Sequence, residues 1–248
     1  MKNNLLSKNQ ILHIKKLMQK KYRYQYQEFI IEGLHLIEEA LKHPKIIKYI
    51  VASDVNFQHK SVPVLITSYE NICKLSTTKS PQPYIGICNF IQNNHLYEKD
   101  FILLLDNIND PGNLGTIIRT AHAFGVKDII LKGVDIYNPK VIRSTMGSIY
   151  RMPFVYVDQL PEVVSMLSGS GIRTYAAHLD GKNSYEKENY KKGTAFLIGN
   201  EGNGLRKETA DAADIYVRIP MCGKVESLNA AISAALLMYE TSRQRRLG

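Results

Sequence analysis

The segment Phe101–Arg119 reads FILLLDNINDPGNLGTIIR. Its first five residues form a continuous apolar run, the pattern of a parallel strand buried on both faces. The polar residues that follow turn at Pro111-Gly112 and enter a helix carrying Ile117, Ile118, Ala121 and Phe124. Strand, tight turn and helix in that order make one unit of an α/β sheet, and such sheets place their ligands at the carboxyl ends of the strands. Two later segments repeat the arrangement. Leu197–Leu205 (LIGNEGNGL) closes the apolar run Ala195–Ile198, and Ile219–Ala231 (IPMCGKVESLNAA) closes Ile215–Ile219 and leads into a long last helix, about Ser227 to Arg243. Strands at Asp128–Leu131, Phe154–Val157 and Thr174–His178 and helices at Lys140–Tyr150 and Leu160–Leu167 complete the expected parallel sheet. The arginines that end the chain, Arg243, Arg245 and Arg246, complement the dipole of the last helix.

Ahead of this module the chain has a different character. Ile11, Ile14, Leu17 and Met18 recur at helical spacing, and Tyr22, Tyr24 and Tyr26 alternate beside Lys20, Lys21 and Arg23. A short strand at Phe29–Ile31, a helix starting at Gly33, and strands at Ile46–Val51, Val62–Ile66 and Tyr84–Phe90 predict a small α/β domain. The polar stretch Ile91–Asp100 (IQNNHLYEKD) reads as a linker, which puts one domain at 1–95 and the other at 96–248.

Charge divides the same way. Residues 1–95 carry 13 Lys and Arg against 6 Asp and Glu, whereas residues 96–248 carry 19 against 17. No acidic residue precedes Glu28, while Lys15, Lys16, Lys20, Lys21 and Arg23 do. Such a stretch is either a polyanion-binding surface or a solvated helix face. With 44% hydrophobic residues among 248, a packed core is expected. No apolar run approaches a membrane span. Three scattered cysteines and seven histidines without ligand spacing predict neither a disulfide framework nor a metal site, and the simplest compartment is a reducing cytoplasm.

The strand-end residues carry the chemistry. Asn113 either caps its helix or reaches into the crevice, and Arg119 offers a fixed charge and a planar donor fork suited to phosphate. Ser227 and Asn229 are ordinary helix caps or members of a site. The glycines of Gly199–Gly204 allow close backbone approach, but their order is G-x-x-G-x-G. The order of a dinucleotide fold differs, and no ribose-binding carboxylate follows at about 20 residues. The Walker pattern is absent, since Gly223-Lys224 lacks both the earlier Gly and a following Ser or Thr.

Asp110–Arg119 (DPGNLGTIIR), Asn200-Glu201-Gly202, and Pro220-Met221 with Ser227-Leu228-Asn229 resemble, in order, the signature segments of the SpoU/TrmH family of RNA ribose 2′-O-methyltransferases. Val141–Pro153 (VIRSTMGSIYRMP) is similar to the family's intervening region. The first half resembles the small L30e-like substrate-binding domain of many members through Phe29–Gly33 (FIIEG) and Leu75–Gln82 (LSTTKSPQ). The resemblance implies a methyltransferase domain of the SPOUT type with a C-terminal trefoil knot, S-adenosyl-L-methionine as cofactor, and a homodimer. It places cofactor contacts at Gly199, Gly202, Ile219 and Leu228, and catalytic positions at Asn113, Arg119, Glu201, Ser227 and Asn229. Arg119 would act as a base or as a stabiliser of phosphate and oxygen charge. The implied substrate is RNA, ribosomal RNA before transfer RNA, and methyl transfer to it needs no metal. Two other readings stay open on the residues alone: an enzyme with a nucleotide cofactor on an open sheet, and a non-catalytic RNA-binding protein.

Overall fold

A computed structural model describes residues 5–92, 100–225 and 227–247. Residues 93–99, the centre of the expected linker, lie outside the described residues. The chain forms two compact units, Met1–Gln92 with Asp135–Tyr150, and Asn93–Val134 with Arg151–Gly248.

In chain order the first unit holds α1 (Lys8–Leu17), α2 (Lys20–Tyr26), β1 (Glu28–Glu32), α3 (Leu34–Leu41), β2 (Ile47–Ala52), β3 (Val64–Ile66), α4 (Tyr69–Leu75) and β4 (Tyr84–Asn89). Its sheet runs β1-β4-β2-β3; β4 is antiparallel to both neighbours, and β2 and β3 are parallel. A capping box starts α1, with Ser7 and Gln10 each accepting from the other's backbone. Ile14 and Leu17 of α1 and Ile72 and Leu75 of α4 pack on Ile30, Val51, Ile85 and Ile87 of the sheet.

The tyrosine run lies on α2. Arg23 is consequently not part of the exposed basic surface. It is 2% exposed, donates to the carbonyls of Leu17 (2.9 Å) and Met18 (2.8 Å), and pairs with Asp135. Its guanidinium satisfies the open carbonyl end of α1, so the expectation of an RNA ligand at Arg23 is corrected. Lys15, Lys16, Lys20 and Lys21 are exposed.

The second unit opens with β5 (Phe101–Asp106), α5 (Pro111–Ala123) and β6 (Asp128–Lys132). Asp135–Tyr150, which contains α6 (Pro139–Thr145) and a 3₁₀ turn at Ser148–Tyr150, then packs within the first unit, so the division is not a single cut near residue 95. Arg143 of α6 donates to Glu32 (3.1 Å) and Thr77 (2.6 Å), and the Tyr137 ring stacks on Phe90 at 3.7 Å. Glu32 also accepts from Thr77 N (3.1 Å) and from the Ser76 hydroxyl, while Gln82 Oε1 accepts from Leu34 N (3.0 Å). The FIIEG and LSTTKSPQ motifs are thus one bonded group. The expected helix at Lys140–Tyr150 stops early because Met146 and Gly147 adopt positive φ (49° and 87°).

The second unit continues through β7 (Phe154–Tyr156), α7 (Leu160–Gly169), β8 (Arg173–Ala177), β9 (Asn183–Ser184), β10 (Thr194–Ile198), α8 (Lys207–Asp211), β11 (Ile215–Arg218) and α9 (Ala230–Arg246). All seven strands are parallel, in the order β7-β6-β5-β10-β8-β11-β9. Phe101–Leu105 of β5 are at most 1% exposed, and each such side chain contributes about 1.5–3 kcal/mol relative to exposure. Leu160, Val164 and Leu167 of α7 and Ala210 of α8 pack on one face of this sheet, while α5 packs against α9 and α9 packs on β10. Arg245 is held by the carbonyls of Tyr190, Lys192 and Asp100 at 2.7–3.0 Å and by the Asp100 carboxylate. Among the described residues no helix is long and apolar enough to cross a membrane, and no group of three or more His, Cys, Asp or Glu could hold a metal ion.

Candidate active site

β5 and β10 are neighbours, with Leu105 beside Ile198, so the loops that leave their carboxyl ends emerge side by side. The β5 loop is shaped by three local features. Asp106 is 1% exposed and receives both the Arg206 Nε–H (3.0 Å) and Asn107 Nδ2 (2.7 Å). Asn107 takes the left-handed conformation (φ 55°), a conformation that costs a non-glycine residue some backbone energy and is held by its surroundings. Its N–H bonds Lys132 O (2.9 Å) and its carbonyl accepts from Asn200 Nδ2 (2.8 Å). Asp110 then caps α5 by accepting from Asn113 N (2.9 Å), with Pro111 in the first turn, where no N–H is needed.

The β10 loop folds on itself. Asn200 and Gly204 exchange backbone hydrogen bonds, and Asn200 Oδ1 accepts from Gly202 N (2.8 Å) and Asn203 N (3.1 Å). A Cβ at Gly199 would lie 2.2 Å from the Gly204 carbonyl carbon, so this position requires glycine to close the loop. At Gly202 a Cβ would meet only Asn200 Oδ1, at 3.5 Å. Gly199 therefore serves the loop's own fold, and Gly202 leaves its outer side open.

Glu201 joins the two loops. Its carboxylate accepts from Asn109 N (3.0 Å), Asp110 N (3.2 Å) and Asn113 Nδ2 (2.8 Å). Partial burial opposes ionisation, but the bonds from Asn113 and from the backbone N–H groups of Asn109, Glu201 and Asp110 outweigh it, and the carboxyl titrates below its ordinary range. The third loop arrives at the same place: Asn229 Nδ2 donates to Asn113 Oδ1 (2.9 Å), while Asn229 Oδ1 caps α9 by accepting from Ala231 N and Ile232 N.

Three of the five expected catalytic residues, Asn113, Glu201 and Asn229, thus form one bonded series. Ser227 is exposed beside it, without a hydrogen bond among the described residues. Arg119 is exposed on α5, about 9 Å along the helix axis from Asn113 and about 120° around it. The structure does not bring Arg119 into the series. Its guanidinium makes no hydrogen bond among the described residues, which leaves its donor fork available to a ligand. Residues not singled out from sequence also shape the rim: the Asp106–Arg206 pair and Asn107. The one sequence signal for the pair was an acid ending a buried apolar strand.

The cofactor positions Gly199, Ile219 and Leu228 stand at the ends of β10 and β11 and at the start of α9. Among the described residues, the backbone N–H groups of Met221–Val225, Ser227 and Leu228 donate no hydrogen bond. Unbonded backbone donors beside half-buried Ile219 and Leu228 and an open Gly202 fit a ligand with apolar and hydrogen-bonding parts.

Comparison with known proteins agrees with this geometry. The profile of the SpoU rRNA Methylase family matches residues 100–239, and that of the MRM3-like substrate binding domain matches residues 8–86. The chain is 35% identical over 231 residues to the 23S rRNA (guanosine(2553)-2′-O)-methyltransferase RlmP of Bacillus subtilis strain 168, covering 91% of this chain and 92% of that one. An AdoMet-bound rRNA methyltransferase from Sinorhizobium meliloti superimposes with a TM-score of 0.85 at 32% identity, over 97% and 96% of the two chains. The SpoU methyltransferase AviRb of Streptomyces viridochromogenes, solved in complex with AdoMet, gives 0.87 at 25% identity, over 98% and 100%. The parallel sheet, the bonded strand-end loops and these matches together place the chain in the SpoU rRNA methylase family of S-adenosylmethionine-dependent RNA methyltransferases.

Proposed function

We propose that this protein methylates a ribose 2′-hydroxyl of 23S ribosomal RNA in the cytoplasm. The observation that carries the reading is the Glu201–Asn113–Asn229 series, which draws the three strand-end loops into one rim. The named action of the Bacillus subtilis relative supports the substrate and the 2′-oxygen. Gly199, Gly202, Ile219 and Leu228 would hold S-adenosylmethionine, whose sulfonium supplies the electrophilic methyl group. A ribose hydroxyl is a weak nucleophile, so the chain must orient it and lower the cost of its developing negative charge. Ser227 and Asn229 would orient the ribose. The planar donor fork of Arg119 suits an anion better than proton removal, so the part proposed for it is to bind the adjacent phosphate and stabilise charge on the attacking oxygen. The first unit would hold the RNA through Lys15, Lys16, Lys20 and Lys21.

Two further features belong to this reading. In the strand order β8 and β10 lie between β11 and β5, and Asn229 at the start of α9 bonds Asn113 of α5, which supports the knotted C-terminal segment that the family resemblance implies. Ile232 (52% exposed) and Tyr239 (46% exposed) on α9, with Phe124 edge-on to Tyr239, supply an apolar face for a homodimer through the second unit. The test is to transfer labelled methyl to ribosomal RNA in vitro, digest the product to nucleosides, and map the site in cells with and without the gene. A 2′-O-methylated nucleoside at one 23S position is expected. Label on a base, or on transfer RNA alone, overturns the proposal, and an active monomer in light scattering overturns the dimer as a requirement.

A further inference from the structure

The basic surface of the first unit carries an aromatic feature that binding phosphate does not require. Tyr22 lies on α2 with two ammonium groups over its ring: Lys16 Nζ from α1 at 5.6 Å from the centroid and Lys21 Nζ at 5.8 Å. The Tyr26 ring, one turn further on, is nearly parallel to it (15°, centroids 6.2 Å apart). Tyr26 packs against the apolar core of the unit and also meets the His13 ring at 4.8 Å. Tyr22 is not part of that core, and it remains partly exposed. Buried Arg23 fixes this placement. By binding the last carbonyls of α1 it sets the roll of α2, and the residue before it faces the lysines of both helices.

A ring on a fixed helix, backed by a second ring and flanked by cations, suits an unpaired base between two phosphates. The base stacks on the ring, and the ammonium groups move to the phosphates on either side. A duplex offers no such partner, because its base faces are covered by their neighbours and its accessible groove presents sugar and phosphate. Lysines alone would suffice for phosphate. We propose that the α1–α2 surface binds a single-stranded stretch of RNA, with one unpaired base stacked on Tyr22 and the adjacent phosphates held by Lys16 and Lys21. This rests on the reading above that the first unit binds RNA, and it specifies which structural class of RNA that unit takes.

The chain contains no tryptophan, so Tyr22→Trp creates a sole indole at the stacking position. In the full-length protein, a short oligouridylate is expected to quench that indole as it saturates the site. Tyr22→Leu should weaken oligouridylate binding about tenfold or more, with the slope of affinity against salt unchanged, and Tyr22→Phe should bind as the parent does. Replacing Lys16 and Lys21 together by Gln should flatten the salt slope. An unquenched indole at saturation, unchanged affinity in Tyr22→Leu, or tighter binding of an A-form duplex of equal length would each overturn the stacking proposal. Loss of affinity in the lysine variant without loss in Tyr22→Leu removes stacking and leaves the RNA-binding reading standing. If the lysine variant keeps both its affinity and its salt slope, both fall.

Discussion

Replacing Glu201 by Ala tests whether the rim of the active site depends on one carboxylate. Three donors lose their acceptor: Asn109 N, Asp110 N and Asn113 Nδ2, at 3.0, 3.2 and 2.8 Å. A shielded hydrogen bond to a charged group contributes about 1.5–3 kcal/mol. Glu201 is largely solvent-exposed, so water replaces much of that, and about 0.5–1 kcal/mol per bond is the appropriate scale. Three bonds give about 2 kcal/mol, or roughly a thirtyfold shift toward a disordered rim. If transfer requires the ordered rim, kcat/KM should fall between about tenfold and a hundredfold while the global melting temperature changes little. The assay pairs initial rates of labelled-methyl transfer with amide hydrogen exchange at Asn109 and Asp110. Faster exchange with a parental rate would refute the catalytic part of the reasoning, and unchanged exchange would refute the clamp itself. The pH dependence has a definite sign. Because the carboxyl titrates below its ordinary value in the folded protein, its contribution is complete above the unfolded value and is lost as pH falls through the lowered one. The clamp is therefore intact at neutral pH, and Glu201→Gln should reproduce at pH 7 part of what acid does to the parent.

Arg119→Ala should leave S-adenosylmethionine affinity unchanged in calorimetry and lower transfer on the order of a hundredfold or more; partial recovery in Arg119→Lys would indicate charge stabilisation, and none would indicate bidentate positioning. Gly202→Val should fold with a parental melting temperature yet lose cofactor affinity, whereas Gly199→Ala, whose new atom would sit 2.2 Å from backbone, should lower the melting temperature itself. Arg206→Ala strands the buried Asp106 carboxylate with Asn107 as its remaining side-chain donor and should cost about 3 kcal/mol in a urea titration, partly restored by adding Asp106→Asn.

The sheet of the second unit was readable because each buried parallel strand is a run such as FILLLD or TAFLI, and each ends in a break in composition. The residues that converge on Glu201 were readable as motifs. Their bonding was not, since it joins positions 88 and 116 residues apart. The lodging of Asp135–Tyr150 in the first unit was hidden for the same reason: it depends on Arg143 meeting Glu32 and on Tyr137 meeting Phe90. Arg23 misled because a basic residue among lysines and tyrosines looks exposed, and only the carbonyl end of α1 explains its burial. Short elements escaped notice altogether. α4, α8 and β9 have two to seven residues, too few to show a period.

The series from Glu201 to Asn229 also has a polarity. A carboxylate can only accept, so the amide nitrogen of Asn113 must face it, and its oxygen is left for the Asn229 nitrogen. The Asn229 oxygen is then the atom turned toward the first N–H groups of α9. Neither amide can turn over without opposing like to like at both of its ends. One negative charge thereby dictates which way two distant amides point, through to the base of the final helix. For that reason the substitution nearest in shape is far from neutral: Asn113→Asp sets carboxylate against carboxylate, and the pair could persist only by keeping a proton between them.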